Sequence, residues 1–561
     1  MLFPTFDFLL FVIPVLLGTW LLSHRPLPRT LLLLGASLFF YMAGPKTEPP
    51  PTPWYYVGLL VFSTVLDYAC GLGIAAQDRR VRQSGDAAAM ASARRAKNAI
   101  FGVSLVGNLG LLGYFKYTDF AFSVATDLAH ALGIDWAAPS LRLLLPVGIS
   151  FYTFQSLSYT IDVWRGRLTA ERSFLKFALF VTFFPQLVAG PIVRADEFLP
   201  QLHRPPRISA ARMEEGIFHV FKGLVKKVVL GDWIASQLTD AIFASPEQYT
   251  SAELLFALYA FTLQLYADFS GYSDIAIGVA KLMGYELPEN FDRPYQAKNV
   301  GEFWRRWHMT LSTWLRDYLF FPLGGSKGSA ARTYFNLWLT MFLVGMWHYS
   351  QGTSWNFVIY ANLHAAAIVF NRWNRIRPRG TSRPAELARW APALLASGAA
   401  IAWLVHVVLD VPWASAWIVG GFAIAMVLVV TWLPDTGHWA NAALHVLLTF
   451  HFTVLSRVFF RAESFDVAKR MCQGLLAFDT HGLRPGLITP WVGLALAIGC
   501  VYHYAAALGR RARPRGGAAA ARPGARSAVR RAVPGAHAAD GLGPARVHLL
   551  QLLIRPRSRP P

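Results

Sequence analysis

Three histidines inside one aromatic, apolar stretch carry most of the chemistry this sequence offers. His308 stands in EFWRRWHMTLSTWLRDYLFF, His348 closes the run TYFNLWLTMFLVGMWH, and His364 lies in SWNFVIYANLHA. Imidazole is the one ordinary side chain whose unperturbed pKa falls near physiological pH, so it can take up and return a proton there. An ionisable group in an apolar span is expensive, which makes each histidine a functional candidate by default. Each also has a packing reading. As one helix, the first segment puts His308, Ser312 and Arg316 at i, i+4 and i+8, beside an apolar stripe of Phe303, Trp307, Leu311 and Leu315. With Arg305 and Arg306, that pattern suits an amphipathic helix in the membrane interface. His348 either caps the C-terminus of a span, where positive charge is favoured, or acts as a base at a local helix interruption. Asn356, Tyr360 and His364 form a second i, i+4, i+8 stripe, on a helix that Thr353 can cap. That stripe suits a buried helix–helix hydrogen-bond network.

The elements that must position these residues are membrane helices. The chain is 54% hydrophobic and 14% aromatic with 15% charged residues, against about 25% charged in soluble domains. At roughly 20 apolar residues per crossing, about 11 to 13 membrane segments fit, and the predicted class is an all-α polytopic membrane protein. The first apolar stretch lacks a basic leader and a small-residue cleavage site, so it reads as a retained span. Further spans are expected near 31–42, 54–75, 98–114, 143–161, 177–189, 218–230 and 254–267, and beyond His364 near 387–409, 416–433, 443–460 and 491–508. Basic loops alternate with neutral ones. The polar loop over 77–97, with Arg79, Arg80, Arg82, Arg94, Arg95 and Lys97, is therefore placed in the cytoplasm and the N-terminus outside. The stretch GPIVRADEFLPQLHRPPR is too polar to cross lipid, so protein or a water-filled cavity must surround it.

Net charge needs locating before it is interpreted. Of the formal +21, the segment from Arg510 onward contributes +11, from twelve arginines against Asp540 alone. The remainder is spread over loops between apolar runs, which argues for membrane lipid and against nucleic acid as the partner. Cys70, Cys472 and Cys500 have no metal-type spacing, and neither a metal site nor a disulfide framework is expected. Residues 1–508 read as one transmembrane domain. Residues 509–561, rich in Ala, Arg, Gly and Pro without periodicity, read as a disordered basic tail.

LDYACG, LPVGISFYTFQSLSYTIDVWRG, FPQLVAGPIVRADEFLPQL, YADFSGYSDIAIGVAKLMGYELPENFDRPY, EFWRRWHMTLSTWLRDYLFFPLGG, GMWH and VFFRAESF follow in that order between about Asp67 and Phe465. On these motifs the chain resembles the membrane-bound O-acyltransferase (MBOAT) family, in the branch of the alginate O-acetyltransferase membrane subunit. Peptidoglycan O-acetylation proteins and, more distantly, the D-alanyl transfer protein of teichoic acids share that branch. The resemblance implies a helical body around a central tunnel, in a bacterial inner membrane. An acyl thioester, either acetyl-CoA or an acyl carrier, would arrive from the cytoplasm. No tightly bound cofactor is implied. The acyl group would leave outward, through a periplasmic acyltransferase partner, for an exported polysaccharide. The resemblance makes His348 the leading catalytic residue and His308 the second. Arg305 and Arg306 are expected to hold the donor's phosphates, which suit the guanidinium fork, with interfacial lipid contact as the alternative, and Trp307, Ser312, Trp347 and Asn356 complete the expected substrate site. It also marks a departure: Tyr349 replaces the family's glycine, Ser350 to Thr353 lengthen the link to Trp355, and Ala365 follows His364. Tyr349 is expected to narrow the path beside His348. The rival from another class is a transporter, for which Asp67, Asp268 and Asp274 are the candidate pathway residues.

Overall fold

A computed structural model describes residues 3–43, 54–139, 141, 143–349, 354–376, 383–432, 438–479 and 481–511. Residues Met1–Leu508 form one compact unit, and no strand occurs among the described residues. The expectations for Ser350 to Thr353, and for nearly all of the tail, lie outside the described residues. The helices in chain order are α1 (Phe6–Leu21), α2 (Pro26–Met42), α3 (Val57–Gln83), α4 (Ala87–Ala131), α5 (Ile149–Trp164), α6 (Phe174–Thr182), α7 (Phe184–Leu187), α8 (Ala195–Leu202), α9 (Ala210–Leu224) and α10 (Asp240–Ala244). They continue with α11 (Ser251–Leu282), α12 (Val300–Arg306), α13 (Met309–Leu315), α14 (Ala330–Trp347), α15 (Ser354–Ile376), α16 (Arg383–Leu409), α17 (Trp413–Trp432), α18 (Trp439–Arg461), α19 (Phe465–Leu476) and α20 (Pro490–Arg511).

Five helical stretches among the described residues are long and apolar enough to cross a membrane: Trp54–Gln83, Ala87–Ala131, Ala388–Leu409, Trp413–Trp432 and Trp439–Arg461. The helices α1 and α2 are shorter apolar ones. Side chains such as Leu10, Phe62, Val106 and Phe422 stand more than half exposed on these helices, as lipid-facing positions do.

Two expected boundaries move. The polar loop over 77–97 is almost wholly helical: α3 runs to Gln83, and α4 starts at Ala87 under an Asp86 cap that accepts from Ala88 N at 3.1 Å and Ala89 N at 3.0 Å. Ala and Arg are strong helix formers, and propensity wins over polarity here. With 45 residues, α4 is about 68 Å long at roughly 1.5 Å per residue, well beyond the ~30 Å hydrocarbon core. The expected span over 177–189 breaks instead at Phe183, before Pro185, into α6 and α7. Pro185 has no backbone N–H to continue the ladder of α6 and is tolerated in the first turn of a new helix, where it sits in α7. The freed carbonyl of Phe180 accepts from the side-chain amides of Gln155 and Gln186.

Only the first part of the polar stretch after α7 lies inside protein; Asp196, Glu197, His203, Arg204 and Arg207 are exposed. Ile192 and Val193 are buried, Ile192 N donates to Thr310 Oγ1 at 3.0 Å, and Arg194 pairs with Asp317 at 2.6 Å. Helices α9 and α11 touch along two glycine pairs. A Cβ on Gly223 would stand 2.6 Å from Gly271 O, and one on Gly278 2.6 Å from Gly216 O. Small residues of this kind let membrane helices approach backbone to backbone. Helix α14 packs along α15 in the same way, with a Cβ on Gly345 only 2.4 Å from Ala361 Cβ.

Candidate active site

The expected single helix over 301–321 is two helices, α12 and α13, broken at Trp307–His308. His308 takes the left-handed conformation, φ 43°, which a non-glycine residue holds only where its surroundings over-determine it. The segment ahead of α12 does so. Asp292 N donates to Arg306 O at 2.9 Å and Met309 N to Asn290 O at 2.9 Å, so the chain around Asn290 bridges the break. The i, i+4, i+8 alignment of His308, Ser312 and Arg316 is lost with the continuous helix.

Asn290 also settles the chemistry of His308. Its Oδ1 receives Thr310 N at 3.3 Å and Thr310 Oγ1 at 3.0 Å, and its Nδ2 donates to Ser273 Oγ at 3.3 Å. An oxygen that already accepts a backbone N–H faces His308 Nδ1 at 3.2 Å, so that nitrogen carries the proton. In neutral imidazole the other nitrogen then holds the lone pair. That nitrogen, Nε2, is buried and has no partner among the described residues. His308 is thus built to accept a hydrogen bond, and in this state it cannot donate one to an oxyanion.

The other two histidines differ sharply. His364, 1% exposed, receives Trp304 Nε1–H on Nδ1 at 3.2 Å and faces Ser456 Oγ through Nε2 at 3.1 Å. Both its nitrogens are used. Its stripe neighbours reach α18 too: Asn356 Nδ2 donates to Ala462 O at 3.0 Å, and Tyr360 meets Arg457 at 3.4 Å. His348 caps α14, its own N–H reaching Gly345 O at 3.0 Å. Neither of its ring nitrogens has a hydrogen-bond partner among the described residues. It lies deep in the body, within electrostatic range of His308, His364, Lys116 and Arg457, yet keeps accessible surface. Among the three, only His348 has both nitrogens free.

A cleft of about 740 Å³ opens against the same helices. Trp304, Arg305, Ser312 and Arg316 form one wall; Leu337, Thr340, Met341 and Val344 of α14 form another; Lys298, Arg372 and Arg375 complete a strongly basic rim that contains one carboxylate, Glu302. The α14 positions climb one face of that helix, and the next turn beyond Val344 on that face ends at His348. Arg306 is absent from the lining: it is held by Glu302 at 2.8 Å, with Asp292 at 3.7 Å. Trp307, 3% exposed, lies under the Arg457 guanidinium at 4.9 Å. Trp347 packs between Phe151 at 5.3 Å and His308 at 5.6 Å.

Tyr349 does not turn toward the cleft. It is 2% exposed and packs against Tyr117 and Phe120 of α4 and Phe357 of α15, because a satellite apolar cluster with Met346 and Phe357 takes its ring. The acids a transport pathway would use are engaged in fixed pairs. Asp67 accepts from Ser104 at 2.6 Å and Asn108 at 2.9 Å, Asp274 pairs with Lys222 at 2.6 Å and Lys226 at 2.8 Å, and Asp268 pairs with Lys227.

Sequence reasoning missed Asn290, Lys116 and Arg457. Lys116, 7% exposed, donates to the Trp347 carbonyl and to Ser150 Oγ, fixing the end of α14 beside His348. Both cations sit in apolar runs, LLGYFKYTDF and FTVLSRVFFR, and a charge within such a run is the signal that could have found them.

Comparison with known proteins identifies the family. Residues 165–375 match the family described as MBOAT, membrane-bound O-acyltransferase family. The chain is 39% identical over 421 residues to a probable alginate O-acetylase of Azotobacter vinelandii, covering 74% of this chain and 77% of that protein. It is 41% identical over 376 residues to a probable alginate O-acetylase of Pseudomonas aeruginosa, covering 66% of each. A peptidoglycan O-acetyltransferase of Helicobacter pylori is 34% identical over 406 residues, covering 66% of this chain and 70% of that protein.

Proposed function

Because the chain belongs to the membrane-bound O-acyltransferase family and is a multi-pass membrane enzyme, we propose that it passes an acetyl group from a cytoplasmic thioester toward an exported polysaccharide. Two of the relatives carry alginate in their names and one peptidoglycan; alginate is the polysaccharide favoured here. The membrane is the bacterial inner membrane, and a periplasmic acyltransferase partner completes delivery. The observation that carries the reading is the cleft wall on α14, which rises from a basic rim to a turn short of His348.

His348 acts as the general base. It takes the proton of an incoming hydroxyl as that oxygen bonds to the thioester carbonyl carbon. It returns the proton to the thiolate when the C–S bond breaks. Such proton transfer typically supplies about 10²- to 10⁴-fold. His308 Nε2 accepts a hydrogen bond from a substrate and orients it. Arg305, Arg316, Arg372 and Arg375 hold the phosphates of the donor, for which the guanidinium fork is suited.

Chain direction supports cytoplasmic entry. Trp355, at the start of α15, donates to Asp127, at the end of α4, at 2.7 Å. With α15 running back along α4, Arg372 and Arg375 lie on the Arg94, Arg95 and Lys97 side of that contact, roughly 15–25 Å short of them at about 1.5 Å per residue. Positive charge marks that side as cytoplasmic.

The test uses the full-length protein in lipid nanodiscs with labelled acetyl-CoA and a phosphate-free thioester, N-acetylcysteamine acetate. Arg305→Ala with Arg372→Ala is expected to raise KM for acetyl-CoA at least about tenfold, as charge-assisted phosphate bonds are lost, and to leave the phosphate-free donor unaffected. Equal loss for both donors would remove the phosphate assignment. Failure of the wild type to transfer acetyl from either donor would remove the function.

A further inference from the structure

We infer that Arg457 of α18 donates the hydrogen bonds that stabilise the oxyanion formed when the acyl carbonyl is attacked, an assignment resting on the acyl-transfer reading above. Arg457 is 1% exposed. Its Nη1 reaches the Tyr360 hydroxyl at 3.4 Å, but Nε and Nη2 have no partner among the described residues. No carboxylate there pairs with it. Arg461, one turn on, has two, Asp240 at 2.8 Å and Glu463 at 3.8 Å. The nearby Tyr295 phenol gives its proton to the Thr262 carbonyl at 2.7 Å.

A buried cation that lacks an anion is strongly destabilising unless something compensates it. The rings of Trp307 at 4.9 Å and Phe460 at 5.4 Å do so in part. Those two rings also locate the guanidinium. Trp307 immediately precedes His308, and Phe460 packs on His348 at 5.5 Å. Arg457 therefore sits between the flanks of both histidines, with Nε and Nη2 and their three N–H bonds unused among the described residues. The anion missing from this environment is one that the reaction itself creates.

Other donors nearby are committed or weaker. Lys116 is spent on the Trp347 carbonyl and Ser150. His308 presents a lone pair, because Asn290 fixes its proton on the opposite nitrogen. Trp347 Nε1–H is unpartnered but carries no charge. As the hydroxyl oxygen bonds to the carbonyl carbon, the C=O electron pair moves onto oxygen, where Nε–H and Nη2–H of Arg457 meet it. Re-forming the C=O bond expels the thiolate, which takes the proton held on His348. Arg457 keeps its own protons throughout, and its fork is charged and fixed before the oxyanion forms.

The experiment follows release of CoA from acetyl-CoA by the full-length protein in nanodiscs, with and without acceptor, for wild type, Arg457→Lys and Arg457→Met. Rates are normalised to the fraction of protein that binds CoA. Arg457→Met is expected to lose about 10²- to 10³-fold in kcat, the usual effect of losing an oxyanion donor. KM for acetyl-CoA should change little, and hydrolysis by water should fall in parallel with transfer because both form the same oxyanion. Arg457→Lys, which keeps the charge without the fork, should fall between. Wild-type kcat in Arg457→Lys would overturn the assignment, whether or not Arg457→Met folds. A loss confined to KM for the acceptor would also overturn it and would put Arg457 on an acceptor carboxylate. A wild-type protein that releases no CoA would refute the acyl-transfer reading itself.

Discussion

Replacing Asn290 by alanine removes the acceptor that fixes His308 Nδ1–H. We expect kcat to fall by about 10²-fold, the scale of a substrate held out of position. Asn290→Asp, whose carboxylate still accepts from His308 and Thr310, should retain more activity; equal loss in the two would disconnect Asn290 from His308. His364→Ala makes the opposite prediction. It strands a buried Trp304 N–H, at about 1–3 kcal/mol for the unsatisfied group, while the Ser456 hydroxyl keeps the Thr453 carbonyl, so a lowered Tm should precede any loss of turnover per folded molecule. Turnover lost at unchanged Tm would make His364 a participant in the chemistry. The three histidines were legible in the sequence and the family motifs ranked them, but the hydrogen bonds that set them apart were not legible. Those bonds depend on Asn290, Trp304 and Ser456, which meet the rings only after the chain reverses direction. Asn290 lies in the PENFDRPY motif, but nothing in its spacing points at His308.

Helix termini decide the geometry at the next scale. The break at His308 and the approach of α14 to α15 at Gly345 set where the two free imidazoles stand. Gly345→Val would drive a side chain into the Ala361 backbone, whose Cα would lie only 2.6 Å from the new Cβ; it should lower both Tm and activity, because His348 is three residues on. Gly421→Ala in α17 meets nothing within 4 Å and should be neutral or stabilising by up to about 1 kcal/mol. Similar Tm losses in both variants would contradict the packing account. Hydropathy located most helices because burial in lipid demands apolar length. It misjudged 77–97, where an Ala- and Arg-rich segment is helical despite its polarity, and 301–321, where periodicity described a helix that long-range hydrogen bonds to Asn290 interrupt.

For the whole molecule, the central expectation is vectorial: a basic cleft on the cytoplasmic side and an outlet on the other. In a Cys500→Ser background, Ser84→Cys at the α3–α4 turn should react with a membrane-impermeant maleimide only after the membrane is opened. Asp135→Cys, beyond the far end of α4, should react in intact cells lacking an outer-membrane barrier. The reverse pattern would invert the proposed direction. Loop charges supply this expectation, and apolar content made the class legible. The cleft was not, because its walls come from α12 to α15, α17 and α18, and only packing brings them together.

The most direct test of the account is transfer of labelled acetyl from acetyl-CoA by the full-length protein in nanodiscs, comparing wild type with His348→Ala and normalising to bound CoA. Loss of a general base predicts a drop of about 10²- to 10⁴-fold in kcat, with CoA binding retained through the distant basic rim. Transfer at the wild-type rate in His348→Ala would contradict the account, because the one of these three histidines with both ring nitrogens free among the described residues would then be dispensable.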